Sequence, residues 1–298
     1  MKYLFSLTLL VITFSVSLAQ APGLEDNSEA QPRVLHPGTI SNDLPQWNNY
    51  FNRKLSIGIF TILVDGKSRI IYYPYVNEQF LEGELFPFDD QFNYSDPWMN
   101  MDGDYMLMQA NIGMNGKPSE QYHICESKNI DGEWTQPQPI KSIYGQKGNV
   151  GSPSLANNGN LYFNALNNGN GYDIFVLEKG KNKAVPLPNQ INSRYLEGDF
   201  YIDADEKFIV FSSVDRNDSQ GNSDLYIAFN EDGEWTNAVA LCEGINTPAE
   251  EFSPYISLDR RSLVFTSNRN QGRGFIPTYN HYIIEIDLDT IRRTFSDE

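Results

Sequence analysis

The chain has 298 residues, with 39 acidic against 22 basic side chains and a formal net charge of −17. No basic run occurs anywhere, so the composition excludes a nucleic-acid binder and offers nothing to an anionic membrane surface. Acidity on this scale serves solubility and draws cations.

Residues 1–19 carry Lys2, an uncharged apolar stretch and the small-residue pattern Ser17-Leu18-Ala19. That is the form of a secretory signal peptide, too short for a membrane anchor. Its removal takes the charge from −17 to −18, because Lys2 is its one charged residue. No cysteine follows the cleavage pattern, so the mature chain is expected to be periplasmic or secreted, monomeric, and without an integral membrane segment. Residues 20–33, rich in Pro, Glu, Asp, Asn and Ser, read as a disordered linker. Residues 34–298 read as one domain.

From Leu35 the chain reads LHPGTIS, and then a unit recurs about every fifty residues. Two weak copies come first, WNNYFNRKLSIGIFTI from Trp47 and SDPWMNMDGDYMLMQA from Ser95. Three plain ones follow, SPSLANNGNLYF from Ser152, DFYIDADEKFIVF from Asp199 and SPYISLDRRSLVFTSNR from Ser253. Each holds alternating apolar runs separated by Asp-Gly, Asn-Gly or polar turns, the pattern of antiparallel hairpins. In the fourth copy the predicted strands are residues 199–202, 207–212, 224–229 and 235–241, with Asp232-Gly233 as the third turn. The equivalent turn two copies earlier is Asp131-Gly132. Taking Phe60, Met108, Phe163, Phe211 and Phe265 as equivalent gives steps of 48, 55, 48 and 54 residues. A four-stranded unit of this length cannot bury both faces alone, and radial stacking into a propeller solves that problem.

Copies end in a leucine strand and a connector, LPNQINS from Leu187 and LCEGINT from Leu241, and LHPGTIS is such an ending without a beginning. Pairing it with the last copy closes the ring and hides an edge. A second reading makes residues 291–295 the outer strand of the last copy.

These strings, followed by D-[IL]-[FY] strands and connectors ending I-N-[ST], resemble the WD40-like PD40 repeats of TolB-type bacterial β-propellers. The resemblance covers roughly residues 35–295. It implies an all-β propeller in the cell envelope whose ring surface meets other proteins, and relatives of this repeat type form accessory domains of peptidases and carbohydrate-active enzymes. TolB-type propellers usually have six blades where this sequence shows five, so five and six both stand. The turn usually written S-P-D-G departs to NNG at Asn157, DADE at Asp203 and LDRR at Leu258, and the third-strand Asp173 and Asp224 have no counterpart near His281.

The chemistry legible in the sequence is sparse. No G-x-S-x-G elbow is present. His36, His123 and His281 fall in different copies without ligand spacing. SKNIDGEW, residues 127–134, fails the sialidase Asp-box because Asn129 and Asp131 stand where Asp and Gly belong, and Trp134 and Trp235 read instead as residues packing between blades. Cys125 and Cys242 fall in blades that are not neighbours, too far apart for a disulfide. Asp96, Glu197, Asp199, Glu250 and Glu251 begin first strands, with Ser152 and Ser253 at related positions, so they are expected to converge on one tunnel mouth. Such carboxylates suit glycosidase acid/base work, cation ligation, or structural pairing with Arg194, Arg216 and Arg269. Asp131 and Asp232 are expected on that same face, and the turns at Asn158, Asp205 and Arg260 on the opposite one. Asp215, Asn217 and Ser219 are spaced like the start of a calcium loop but lack its sixth-position glycine and closing Glu. No cofactor is expected from the motifs, with calcium the ion such oxygen ligands would suit. The sequence therefore points to a non-enzymatic binding or scaffold propeller for a protein or glycan, with a carbohydrate-active propeller as the alternative.

Overall fold

A computed structural model describes residues 31–42, 44–146, 148–167, 171–242, 244–269 and 279–296. The signal-peptide expectation and nearly all of the linker fall outside the described residues, although Arg33 already belongs to the first strand. That strand, β1 (Arg33–Val34), precedes five antiparallel sheets. The first blade holds β2 (Gln46–Asn52), β3 (Ile57–Val64), β4 (Lys67–Val76), β5 (Gln79–Phe80) and β6 (Glu84–Leu85). The second holds β7 (Tyr94–Met99), β8 (Tyr105–Ile112), β9 (Pro118–Ile130), β10 (Glu133–Trp134) and β11 (Gln138–Pro139). The third holds β12 (Val150–Leu155), β13 (Leu161–Asn167), β14 (Gly171–Leu177) and β15 (Val185–Pro186). The fourth holds β16 (Leu196–Ile202), β17 (Phe208–Val214), β18 (Ser223–Glu231), β19 (Glu234–Trp235) and β20 (Val239–Ala240). The fifth holds β21 (Glu251–Ile256), β22 (Ser262–Ser267) and β23 (Asn280–Glu285), followed by helix α1 (Leu288–Ser296).

The fifth blade takes its outer strand from the start of the chain. β1 pairs antiparallel with β23, Arg33 opposite Ile283 and Val34 opposite Tyr282. The connector explains why this segment fits. In the third and fourth blades the connector asparagine replaces a missing strand: Asn192 accepts from the Ile174 amide and donates to the Ile174 and Leu187 carbonyls, and Asn246 does the same with Leu225 and Leu241. Ser41 plays that part in the fifth blade, exchanging 3.2 Å hydrogen bonds with the main chain of His281. Leu35 donates its amide to the His281 carbonyl, as Leu187 does to Ile174 and Leu241 to Leu225. Residues 291–295 are helical, so the second reading of the outer strand is corrected. Asp287 caps that helix through the Asp289 and Thr290 amides, and Ile291 packs onto the cluster between the fourth and fifth blades.

Five apolar clusters fill the five gaps between neighbouring blades. Phe60, Phe163, Phe211, Phe265 and Met108 are wholly buried there, each contributing about 1.5–3 kcal/mol by leaving water. Trp134 packs in the gap between the first two blades and Trp235 in the gap between the third and fourth. Cys125 and Cys242 are both free thiols.

The meander fixes the two faces. First-strand starts lie on the connector face, and odd turns lie on the other, because successive strands reverse direction. Asp131 and Asp232 therefore sit beside the first hairpin turns, not with the strand starts: Asn129 donates to Asp104 O and Asn230 to Lys207 O, both at 2.8 Å. This corrects their expected placement, which put first and third turns on opposite faces.

Candidate functional site at the propeller axis

Each first strand carries a β-bulge near its start. A bulge inserts one unpaired residue and re-aims its side chain. The bulged residues are Asn48, Asp96, Ser152, Asp199 and Ser253, one per blade, and all but Asp199 adopt left-handed backbone, with φ of 47°, 52°, 48° and 49°. Asn and Asp tolerate that region better than other residues, and strain of this kind collects at functional sites. A Cβ at Gly151 would lie 2.4 Å from Gln109 Nε2 and 2.9 Å from Asp96 Oδ2, so a larger residue there would displace the Asp96 carboxylate or the Gln109 amide.

The five side chains form a hydrogen-bonded ring around the axis. The Asp96 amide donates to Asn48 Oδ1 at 3.3 Å, and the Ser152 amide donates to Asp96 Oδ2 at 2.8 Å. Ser152 Oγ donates to Asp199 Oδ1 at 3.0 Å. Ser253 Oγ donates to Asp199 Oδ2, and Asn48 Nδ2 contacts both Ser253 Oγ and Asp199 Oδ2 at 3.1 Å. That last bond joins the first blade to the fourth and crosses the ring. Thr61 and Asn164 buttress it from second strands, bonding Asn48 and Ser152.

Burial pushes the Asp96 carboxyl up to about 7, with the neighbouring Asp199 charge adding to the effect. Burial likewise raises Asp199, while its three neutral donors oppose the rise. The pair thus holds a proton into the neutral range.

Above this floor, toward the hairpin-turn face, lies a cavity of about 340 Å³. Two residues beyond the bulges stand Tyr50, Trp98, Ser154, Tyr201 and Tyr255. Four are aromatic, and Tyr201, Tyr255, Tyr50 and Trp98 meet in sequence, with centroid distances of 5.4, 5.6 and 6.3 Å. The Tyr50 and Tyr255 hydroxyls donate to Met99 O and Phe51 O in adjoining blades. Met101 and Leu258, each nearly half exposed, line the rim.

Of the predicted mouth residues, Asp96, Ser152, Asp199 and Ser253 come together, and Asn48 completes the ring. Glu197 and Glu251 do not join it. Both are fully buried and paired with Arg216 at 2.9 Å and Arg269 at 3.2 Å, binding each connector to its second strand. Ser193 and Thr247 complete those two clamps. Glu250 lies outside as well, bonded to Tyr279, Asn268 and Asn222. Arg194 contacts Tyr195 and Asn217 instead of a carboxylate. Asp215, Asn217 and Ser219 face no common point: Asp215 is exposed, Asn217 accepts from Tyr195 OH, and Ser219 donates to Asp224. Among the described residues no three acidic, histidine or cysteine side chains gather as metal ligands.

Of the histidines, His36 packs edge-on against Phe80, His123 lies over Tyr144, and His281 is buried beside Thr266 and Phe60. Burial lowers the pKa of all three.

Fold and site together define a five-bladed β-propeller with an acid-floored, aromatic-walled axial cavity. No protein-family model and no curated protein matches the chain. Solved structures do. TolB from Acinetobacter baumannii superposes with TM-score 0.51 at 13% identity, over 87% of this chain and 63% of its own. The chain thus spans under two thirds of that protein. A thermostable family-43 glycoside hydrolase gives 0.54 at 10% identity, over 82% of this chain and 90% of its own. A gluconolactonase of Xanthomonas campestris gives 0.51 at 10% identity, over 88% and 99%. Identities this low carry the fold alone. No helix among the described residues is long and apolar enough to cross a membrane.

Proposed function

We propose that this is an exported binding propeller of the PD40 repeat kind, which engages a protein partner through the hairpin-turn face and its axial cavity. The observation that carries this reading is the state of the two floor carboxylates. Asp199 already accepts three side-chain hydrogen bonds and Asp96 one from the Ser152 amide, so the pair serves as a fixed acceptor set beneath an apolar mouth. Cavities lined by aromatic rings with a few convergent polar groups are the usual form of a recognition site.

A second reading is favoured by the same pair, because two carboxyls with raised proton affinity are also what glycosidic acid/base chemistry requires. One experiment separates them. The purified chain is assayed against a panel of glycosides and polysaccharides, and in parallel used to isolate partners from the envelope fraction of its source. Binding without turnover, with partner loss in the exposed-rim variant Met101→Glu, is expected. Turnover that disappears in Asp199→Asn overturns the binding reading.

A further inference from the structure

We propose that the axial cavity is built to receive an ammonium group, and that its occupant is a lysine side chain of the protein partner. This rests on the binding reading above and supplies the chemistry of the group received.

The walls come first. The Tyr50 and Tyr255 hydroxyls are spent on main-chain carbonyls. Tyr50, Trp98 and Tyr201 line the cavity with part of their surface accessible, and the buried Tyr255 packs edge-on against Tyr50 and Tyr201. Ring surfaces that surround a space attract a cation through their quadrupoles, and Trp does so best. The floor agrees with the walls. Asp96 and Asp199 line the cavity, and no lysine, arginine or histidine is among the described lining residues; Asp102 at the rim is already paired with Lys54 at 2.6 Å. Three of the five buried carboxylates elsewhere among the described residues, Glu197, Glu251 and Asp203, are matched with arginines, while Asp173 and Asp224 accept from neutral donors away from this cavity. The donors on the floor are neutral hydroxyls, amides and an asparagine, which satisfy lone pairs but bring no positive charge, so the charge left on the proton-sharing pair has no cationic partner among the described residues. Asp96 also keeps part of its surface accessible.

The shape selects among cations. A bare metal needs several oxygen ligands at short range, and the side chains of Asn48, Ser152, Asp199 and Ser253 are already bonded to one another. An amino sugar carries hydroxyls around its whole edge, and the lining asparagines Asn49, Asn100 and Asn157 already donate to Ser253 O, Asp104 and Asp205. A lysine places four methylenes against the walls and its charge on the floor, the arrangement its amphipathic side chain adopts on apolar surfaces. The apolar rim of Met101 and Leu258 suits the peptide that would carry it, and the chain's net charge of −17 draws basic segments from a distance.

The test uses the full chain and capped five-residue glycine peptides bearing one central lysine, Nε-acetyl-lysine or norleucine, with glucosamine as a fourth probe, all titrated by NMR. The lysine peptide is expected to bind at least tenfold more tightly than either neutral peptide or glucosamine, and Asp96→Asn is expected to abolish that preference. Equal binding of the three peptides, tighter binding of glucosamine, or no binding of any probe overturns the proposal. If Asp96→Asn does not fold, the comparison of peptides on the unaltered chain decides alone. A partner that enters the cavity through a neutral group removes this proposal and leaves the binding reading standing.

Discussion

Ile40→Ala asks whether the N-terminal segment is a full member of the fold or a loose attachment. Ile40 is wholly buried, as Ile191 is in the equivalent connector of the third blade, and Ile245 is nearly so in the fourth. Trimming a buried isoleucine to alanine costs about 2–5 kcal/mol when the surroundings cannot collapse. Ser41→Ala adds the loss of its two bonds to His281, and a buried amide left without a partner costs about 1–3 kcal/mol. One difference separates the two connectors. Ile191 is held by chain on both sides, whereas the β1 segment pairs over only two residues and can detach alone, which caps its effect at its own docking free energy. Urea unfolding of Ile40→Ala and Ile191→Ala, followed by tryptophan fluorescence, measures both. The midpoints are expected to fall together with unchanged slopes, and deletion of residues 20–41 to lower the midpoint at least as far. An Ile40→Ala midpoint within a few tenths molar of the parent, with Ile191→Ala far below it, would mean that the ring does not depend on this closure.

Two further outcomes are expected. The Asp96 carboxyl has its folded-state pKa raised to about 7 from 3.8, so its stabilising contribution is full below pH 4 and fades as pH rises toward 7. Urea titrations of the parent and Asp96→Asn should therefore converge or cross over that window, and parallel curves from pH 4 to 8 would contradict the assignment. His281, lowered to about 3 by burial, acts oppositely and costs stability as pH falls below its ordinary value of 6.5, in both proteins alike. Arg216→Met strands the fully buried Glu197 and should cost about 3–5 kcal/mol, much of it recovered by Arg216→Met with Glu197→Leu. Equal unfolding midpoints for the single and double variants would show the pair to be incidental.

Much of the propeller could be read from spacing, because each blade repeats the same burial problem. The closing segment was legible for the same reason: Leu35, Ile40 and Ser41 keep the order of Leu187, Ile191 and Asn192, although a serine stands for the asparagine. Four of five ring residues were legible, as they fall in register across the copies. Asn48 escaped because its copy is degenerate in sequence, though the same alignment step marks it. Glu197 and Glu251 misled because strand alternation puts them on the same side as Asp199 and Ser253. The bulge between them breaks that alternation, turning one residue to the axis and leaving the other to its arginine. The aromatic collar was available in Asn-Asn-Tyr, Asp-Pro-Trp, Asp-Phe-Tyr and Ser-Pro-Tyr, but each reads as ordinary strand until the bulge is known.

The strand that completes the fifth blade has a consequence for how the molecule comes into being. Ser41 meets His281 across 240 residues of chain, so the ring cannot shut until β23 exists. The entropic toll of so long a loop is mild, about 0.6 kcal/mol more than for one half its length, and it falls mainly on the folding rate. Once made, β23 keeps an unpaired edge until β1 docks on it, and a chain at that stage is open to pairing with another copy at that edge. Closure thus waits on synthesis: only a chain made as far as β23 can lock.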